Sequence, residues 1–123
     1  MKTRHFRDLL VWQHAMKLVP SVYQAVREFP KEETFGLRSQ IQRAAVSVPS
    51  NIAEGHGRTT RKGFAVFLAQ ARGSLNELET QLELAENLGY LTRSSLQHLL
   101  AEIAEVGRML NGLLRTLQQI EPN

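Results

Sequence analysis

The chain has 123 residues, 42% of them hydrophobic, with no cysteine and a formal net charge of +3, which is long enough to bury a core without cross-links. The missing cysteines exclude disulfide frameworks, thiolate metal sites, iron–sulfur clusters and cysteine nucleophiles. No apolar run approaches the roughly 18 residues of a membrane span, and no signal-peptide pattern follows the start at Met1-Lys2-Thr3-Arg4-His5-Phe6, so a soluble cytoplasmic protein without membrane contact is expected.

Apolar spacing predicts four amphipathic helices near residues 7–28, 34–56, 61–88 and 93–119, together making one domain over 1–123. In the first, Leu9, Trp12, Met16, Val19, Tyr23 and Val26 share a face. In the second, Leu37, Ile41, Ala44, Val48 and Ile52 do so. The third carries Phe64, Phe67, Leu68, Ala71, Leu75, Leu78, Leu82 and Ala85. The fourth carries Leu96, Leu99, Leu100, Ile103, Val106, Leu110, Leu113, Leu114 and Leu117.

Breakers fall between these series. Phe29-Pro30-Lys31 ends the first helix, because a proline ring disfavours helical geometry in the residue before it. Gly55-His56-Gly57 supplies the second reversal and places His56 in a solvated loop. Gly89 suits a left-handed closing residue, and Thr92 is the expected N-cap of the fourth helix. Connections this short join antiparallel neighbours, so the fold class is all-α, an up-down-up-down four-helix bundle. Pro20 and Pro49 fall inside helical patterns that resume after them, and bends are expected there, not breaks. Gly73, Gly107 and Gly112 weaken their helices, which points to close approach by another helix.

The mild net charge conceals two opposed halves. Residues 1–75 hold four Lys and eight Arg against five acids, whereas residues 76–123 hold three Arg against seven Glu. Such polarity suits either a polyanion surface or head-to-tail contact between copies.

At 100° per residue, Gln40, Arg43, Ser47, Asn51 and Glu54 form a polar stripe immediately beside the core face of the second helix. A hairpin turning near residue 59 would bring Ser74 and Glu77 opposite the Arg43 region. An Arg43–Glu77 ion pair is therefore expected, with Gln40, Ser47 and Gln81 extending a hydrogen-bonded network. The stripe serves either helix register or a subunit interface or ligand-facing groove.

A basic turn, Arg58-Thr59-Thr60-Arg61-Lys62, opens the third helix, with Arg72 further along it and Arg38 on the second. Arg38, Arg58, Arg61, Lys62 and Arg72 are the candidate nucleic-acid contacts, and Gly57 and Gly63 would let backbone approach a ligand. Phe64 and Phe67 belong to the core series and are not expected to stack on bases.

Catalytic residues are not found. Asp8 is the one Asp, and His5, His14, His56 and His98 lack metal-ligand spacing with carboxylates. Gly55-His56-Gly57-Arg58 lacks the Lys-Ser/Thr of a phosphate loop, and no cofactor motif is present. The expectation is a protein that is not an enzyme and holds no metal or cofactor.

Several blocks are similar to a known family. Phe6-Arg7-Asp8-Leu9-Leu10-Val11-Trp12, the stretch Phe29-Pro30 with Glu33-Thr34-Phe35-Gly36-Leu37, and above all Gln40 to Gly55 resemble the bundle proteins encoded in intervening sequences of bacterial 23S rRNA genes. Ala71 to Leu82 and Leu88-Gly89-Tyr90-Leu91 continue the resemblance, which covers nearly the whole chain. The loop Thr59 to Lys62 is variable in that family. The resemblance implies a left-handed four-helix bundle in a ring-shaped homo-oligomer, a pentamer, without enzymatic activity. It also implies kinship with the accessory variability proteins of diversity-generating retroelements, basic pentamers that bind nucleic acid and a reverse transcriptase. The motif positions Gln40, Arg43, Ser47, Asn51, Glu54, Ser74 and Glu77 coincide with the polar stripe.

Two functions follow as expectations. One is a non-catalytic homo-oligomer binding RNA or DNA through a basic surface. The other is a protein-interaction scaffold or adaptor for a partner such as a reverse transcriptase or a ribosome-associated protein.

Overall fold

The computed structural model describes residues 5–120; Lys2, Arg4 and Glu121, which enter the charge of the two halves, and the opening Met1-Lys2-Thr3-Arg4 lie outside the described residues. Four helices follow one another: α1 Leu10–Ala25, α2 Leu37–His56, α3 Arg61–Asn87 and α4 Arg93–Ile120, with short 3-10 turns at Phe6–Asp8 and Lys31–Glu33. Each helix packs on the next and α4 returns to α1, while α1 and α3, like α2 and α4, stand diagonally. Neighbours run antiparallel: Ser47 of α2 meets Ser74 of α3, whereas Gly55, further along α2, meets Phe64 and Phe67 near the start of α3. The all-α four-helix bundle expected from the short connections is the fold.

Local chemistry sets the helix ends. The first helix stops at Ala25, earlier than residue 28, and the Phe29 amide donates to the Val26 carbonyl at 3.1 Å. Phe29 thereby turns into the core, where it is 5% exposed. The second helix opens at Leu37, not 34, because one Glu33 carboxylate oxygen accepts the Leu37 amide at 2.8 Å. A carboxylate at a helix N-terminus is favoured by the dipole as well as by the bond. The other Glu33 oxygen accepts the Tyr90 hydroxyl at 3.1 Å, tying the α1–α2 connection to the α3–α4 connection. That bond, with some burial and the charges of Glu33 and Glu32, holds the Tyr90 hydroxyl above the ordinary tyrosine range.

Thr60 caps α3 by accepting the Gly63 amide at 2.9 Å, and Thr92 caps α4 by accepting the Ser95 amide at 3.1 Å. Gly89 takes φ +82°, the left-handed closing conformation expected of it. Both α1 and α2 continue through their internal prolines.

The core faces of α2, α3 and α4 are those predicted by spacing, with Ile41, Val48, Ile52, Leu68, Leu78, Leu82, Leu99 and Leu110 fully enclosed. In α1 the predicted face is rotated. Val11, Ala15, Leu18 and Val22 are buried, whereas Met16 and Tyr23 are 44% and 41% exposed; of the predicted face, Val26 just beyond the helix is buried, and Trp12 and Val19 are half-buried against the core. This helix is apolar on two adjacent stripes, and the narrower, largely β-branched or small side chains fit the space against α2 and α4.

Among the glycines, the tightest contact with a neighbouring helix lies at Gly55. A Cβ there would sit 2.8 Å from Phe67 Cβ and 3.0 Å from Phe64 Cδ1. Of the glycines expected to admit a neighbouring helix, Gly107 has Leu75 Cδ2 3.6 Å from such a Cβ, while Gly73 and Gly112 have nothing within 4 Å.

Candidate nucleic-acid interface

The antiparallel bundle brings the start of α1, the end of α2, the start of α3 and the end of α4 to one end of the molecule. Arg58, Arg61 and Lys62 stand there with Arg7, and all four are exposed. Arg58 is restrained: its Nη2 lies 2.8 Å from Glu54 Oε2, and its guanidinium sits 4.5 Å from the Phe67 ring centroid. Arg61 and Lys62 form no ion pair among the described residues. Gly63 does not open a path for a ligand, since a Cβ there would meet Arg58 Cβ and Thr60 Oγ1, both at 3.1 Å; its small size serves the capping turn. His56 is the last residue of α2, not a loop residue, and its ring packs edge-on against Phe64 with centroids 6.0 Å apart.

Arg72 lies on the same side, one flank of a groove between α3 and α4. Its Nη1 donates to Asn111 Oδ1 at 2.9 Å. Lys62, Arg72, Arg115, Asn111 and Gln118 line this groove of about 430 Å³ together with Ala65, Val66, Ala69 and Leu114. No acidic side chain lines it. A smaller hollow of about 320 Å³ shares Lys62 and Ala65 with it and adds Arg61 and Leu117.

Arg38 does not belong to this group. It stands in the first turn of α2, and eighteen residues at ~1.5 Å each put it about 27 Å from the end of that helix. Conversely, Arg115 and Asn111 were not singled out from sequence, because the C-terminal half reads as acidic in bulk. The acids of α3 and α4 prove to be segregated: Glu77, Glu79, Glu83 and Glu86 occupy the second half of α3, and Glu102 and Glu105 the first half of α4. Antiparallel packing puts both sets away from Lys62 and Arg115. A reading by helix halves, with the hairpin folded on paper, would have found Arg115.

The polar stripe is present in part. Ser47 and Ser74 hydroxyls lie 2.8 Å apart across α2 and α3, and Asn51 Nδ2 donates to both the Ser47 carbonyl and hydroxyl at 2.9 Å. The Arg43–Glu77 ion pair is not formed. Both side chains are exposed, so water solvates each charge as well as a partner would, and Glu77 accepts from Gln81 Nε2 at 3.3 Å instead. Gln81 is 6% exposed, with its Oε1 unpartnered. Gln40 is exposed, and Glu54 turns towards Arg58 and away from the serine cluster.

Among the described residues no group of three His, Asp or Glu side chains could hold a metal ion. On the α1–α4 seam, Ser21 Oγ lies 3.3 Å from Glu102 Oε2, and His98 Nε2 lies 3.8 Å from the same oxygen. The hydroxyl donates to the carboxylate and not to the imidazole, so the serine–imidazole–carboxylate order of a catalytic triad is not formed. No described helix is long and apolar enough to cross a membrane.

Fold and surface together define a small all-helical bundle protein whose acids are gathered towards one end, leaving the other end basic. Residues 7–112 match the family model of the 23S rRNA-intervening sequence protein, and the chain belongs to that family. A solved structure from Bacteroides thetaiotaomicron VPI-5482, a protein of unknown function from the S23 ribosomal protein family, is similar with a TM-score of 0.80 at 23% identity, covering 86% of this chain and 96% of that one. That likeness bears on the fold. Among curated proteins none matches the chain.

Proposed function

We propose that this protein is a non-catalytic, cytoplasmic homo-oligomer that binds RNA or DNA through its basic end. The observation that carries the reading is the gathering of acids in one half of the bundle, which leaves Arg7, Arg58, Arg61, Lys62, Arg72 and Arg115 in the other half with Asp8 and Glu54 as its acids among the described residues. Cations grouped on one surface release condensed counterions from a phosphate backbone, and the gain multiplies when copies are joined. The pentameric ring implied by the family resemblance is part of this proposal. Exposed Met16, Tyr23, Val46 and Val66 supply apolar area for contacts between copies, and Gly73 and Gly112 leave space for them.

Binding of a labelled structured RNA and of a DNA duplex at low and high salt tests the reading. Affinity that falls by a factor of ten or more between about 50 and 200 mM salt supports it; affinity unchanged by salt, or no binding at the lower salt, refutes it.

One observation favours the second reading, a protein-interaction adaptor for a partner such as a reverse transcriptase. Phe35 is 93% exposed on the connection that Glu33 and Tyr90 brace, and an aromatic held outward by a fixed loop suits a protein pocket. A purified reverse transcriptase that binds the wild-type protein after nuclease treatment, and not Phe35→Ala, would favour it.

A further inference from the structure

The outward face of α3 carries opposite charge in its two halves. Val66, Ala69, Gly73, Asn76, Thr80 and Leu84 recur every three or four positions and so share one side of the helix; all are exposed, opposite the core residues Ala71, Leu75, Leu78 and Leu82. Along the first half of this face, the α3–α4 groove holds Lys62, Arg72 and Arg115 and no acid. Along the second half, a hollow of about 480 Å³ is lined by Asn76, Glu79, Thr80, Glu83, Leu84 and Asn87, with no base among them. Val66 in the first and Leu84 in the second are each about half exposed.

Hollows of opposite sign on one straight helix complement each other, yet a single chain cannot bring them together. A second copy laid antiparallel on the same face does so at both ends. Reversal about the midpoint between Gly73 and Asn76 sets Val66 on the turn of Glu83 and Leu84, Ala69 on Thr80, and Lys62 on the turn that ends at Asn87. The two-fold axis of such a contact lies across the helices in the plane between them, so each flank of the face meets the same flank of the other copy. Arg72 and Glu79 share one flank, a heptad apart, in the positions that form ion pairs between helices joined by a seam of this period. Each chain's Arg72 therefore meets the other's Glu79. The bond to Asn111 uses Arg72 Nη1, and the remaining guanidinium donors are free to take a carboxylate. A phosphate backbone fits this face less well, because the half that carries Glu77, Glu79, Glu83 and Glu86 repels it. Self-pairing satisfies both halves with one sequence.

We infer that α3 is a self-recognition surface, through which two copies of this chain pair antiparallel with Arg72 of each against Glu79 of the other. This rests on the homo-oligomer reading above and names a contact for it. A two-fold contact joins chains in twos, so the pentameric ring proposed above then occurs as a pair of rings. Arg7 and Arg58 stay outside the contact, near the two poles of the pair.

The test measures assembled mass by light scattering at low salt, on full-length protein freed of nucleic acid by nuclease and a high-salt wash. Wild type is expected to hold an even number of chains. Arg72→Glu and Glu79→Arg are each expected to halve the assembled mass, and an equimolar mixture of the two variants to restore it, since every acid on one face then meets a base on the other. Both substitutions in one chain restore it as well. Lys62→Glu and Glu83→Lys, at exposed positions, should follow the same pattern, whereas Arg93→Glu, outside the face, changes nothing. Circular dichroism reports helix content, and where one pair of substitutions lowers it the other pair decides. Variants that keep the wild-type mass, or a mixture that stays halved, overturn the inference, while the homo-oligomer reading stands on other contacts. An odd number of chains in the wild type does the same. Wild-type protein that remains a single chain of 13.9 kDa refutes both.

Discussion

Replacing Gly55 with Ala tests the close packing of α2 on α3 at that residue. In an open helical position the change is favourable by up to ~1 kcal/mol, since Ala loses less backbone freedom on folding. At Gly55 the new methyl would lie 2.8 Å from Phe67 Cβ, 3.0 Å from Phe64 Cδ1 and 3.2 Å from the Phe64 carbonyl oxygen. Two of these three atoms are fixed to the α3 backbone and cannot swing aside, so the helices must part. Overpacking costs ~1–3 kcal/mol; contact at 2.8 Å with an atom that cannot move puts this site at ~2–3 kcal/mol, and subtracting the gain of up to ~1 kcal/mol leaves a net loss of ~1–2 kcal/mol. For a chain of this length that lowers the thermal midpoint by roughly 4–8 °C. Gly73→Ala is the matched control, with nothing within 4 Å of its added methyl. It is expected to raise the midpoint by ~2–4 °C. Both are read by circular dichroism melts and urea unfolding. A Gly55→Ala protein as stable as wild type, or one stabilised like Gly73→Ala, would refute the close approach.

Three further outcomes are expected. In a Tyr23→Phe background, the absorbance titration of Tyr90 has its midpoint above the ordinary value of 10.0, and Glu33→Gln brings it back down. Because a raised folded value favours the neutral hydroxyl, the stability linked to it is whole below about pH 10 and is lost as pH climbs through the raised midpoint; a midpoint at or below 10 contradicts the Glu33 clasp. A double-mutant cycle on Ser47→Ala and Ser74→Ala should show coupling of ~0.5–1.5 kcal/mol in urea unfolding, and strict additivity would mean the hydroxyls do not meet. On α1, Leu18→Ala should cost ~2–5 kcal/mol and Met16→Ala under ~1 kcal/mol. The reverse order would restore the core face predicted from spacing.

That α1 face shows where the sequence stops being decisive. Periodicity found the helix but could not choose between two adjacent apolar stripes, Trp12-Met16-Val19-Tyr23 and Val11-Ala15-Leu18-Val22, since both repeat every three to four residues. Packing volume made the choice, and volume is a property of α2 and α4 as much as of α1. In α2, α3 and α4 one stripe alone was apolar, and their faces were legible. Caps with a local signature, Thr92 and Gly89, were legible too. The start of α2 was not, because Glu33 caps it from beyond the expected first turn with help from Tyr90, 57 residues away in sequence.

The candidate site was legible in its cations and not in their arrangement. Arg58, Arg61 and Lys62 were found as a run. Arg38 was grouped with them by helix and charge, and helix length separates it. Arg115 was hidden by averaging over an acidic half whose acids cluster in the opposite turns. The Ser47–Ser74 contact follows from the hairpin, but the Arg43–Glu77 pair does not, since exposed charges gain little from pairing and facing positions alone do not bring them together.

Light scattering with simultaneous ultraviolet absorbance, on protein purified without nuclease, tests the central claim most directly. An assembled mass several times 13.9 kDa, with a nucleic-acid absorbance that high salt strips away, is the predicted result. A species of 13.9 kDa with the absorbance of protein alone, unchanged on adding RNA at low salt, would contradict it.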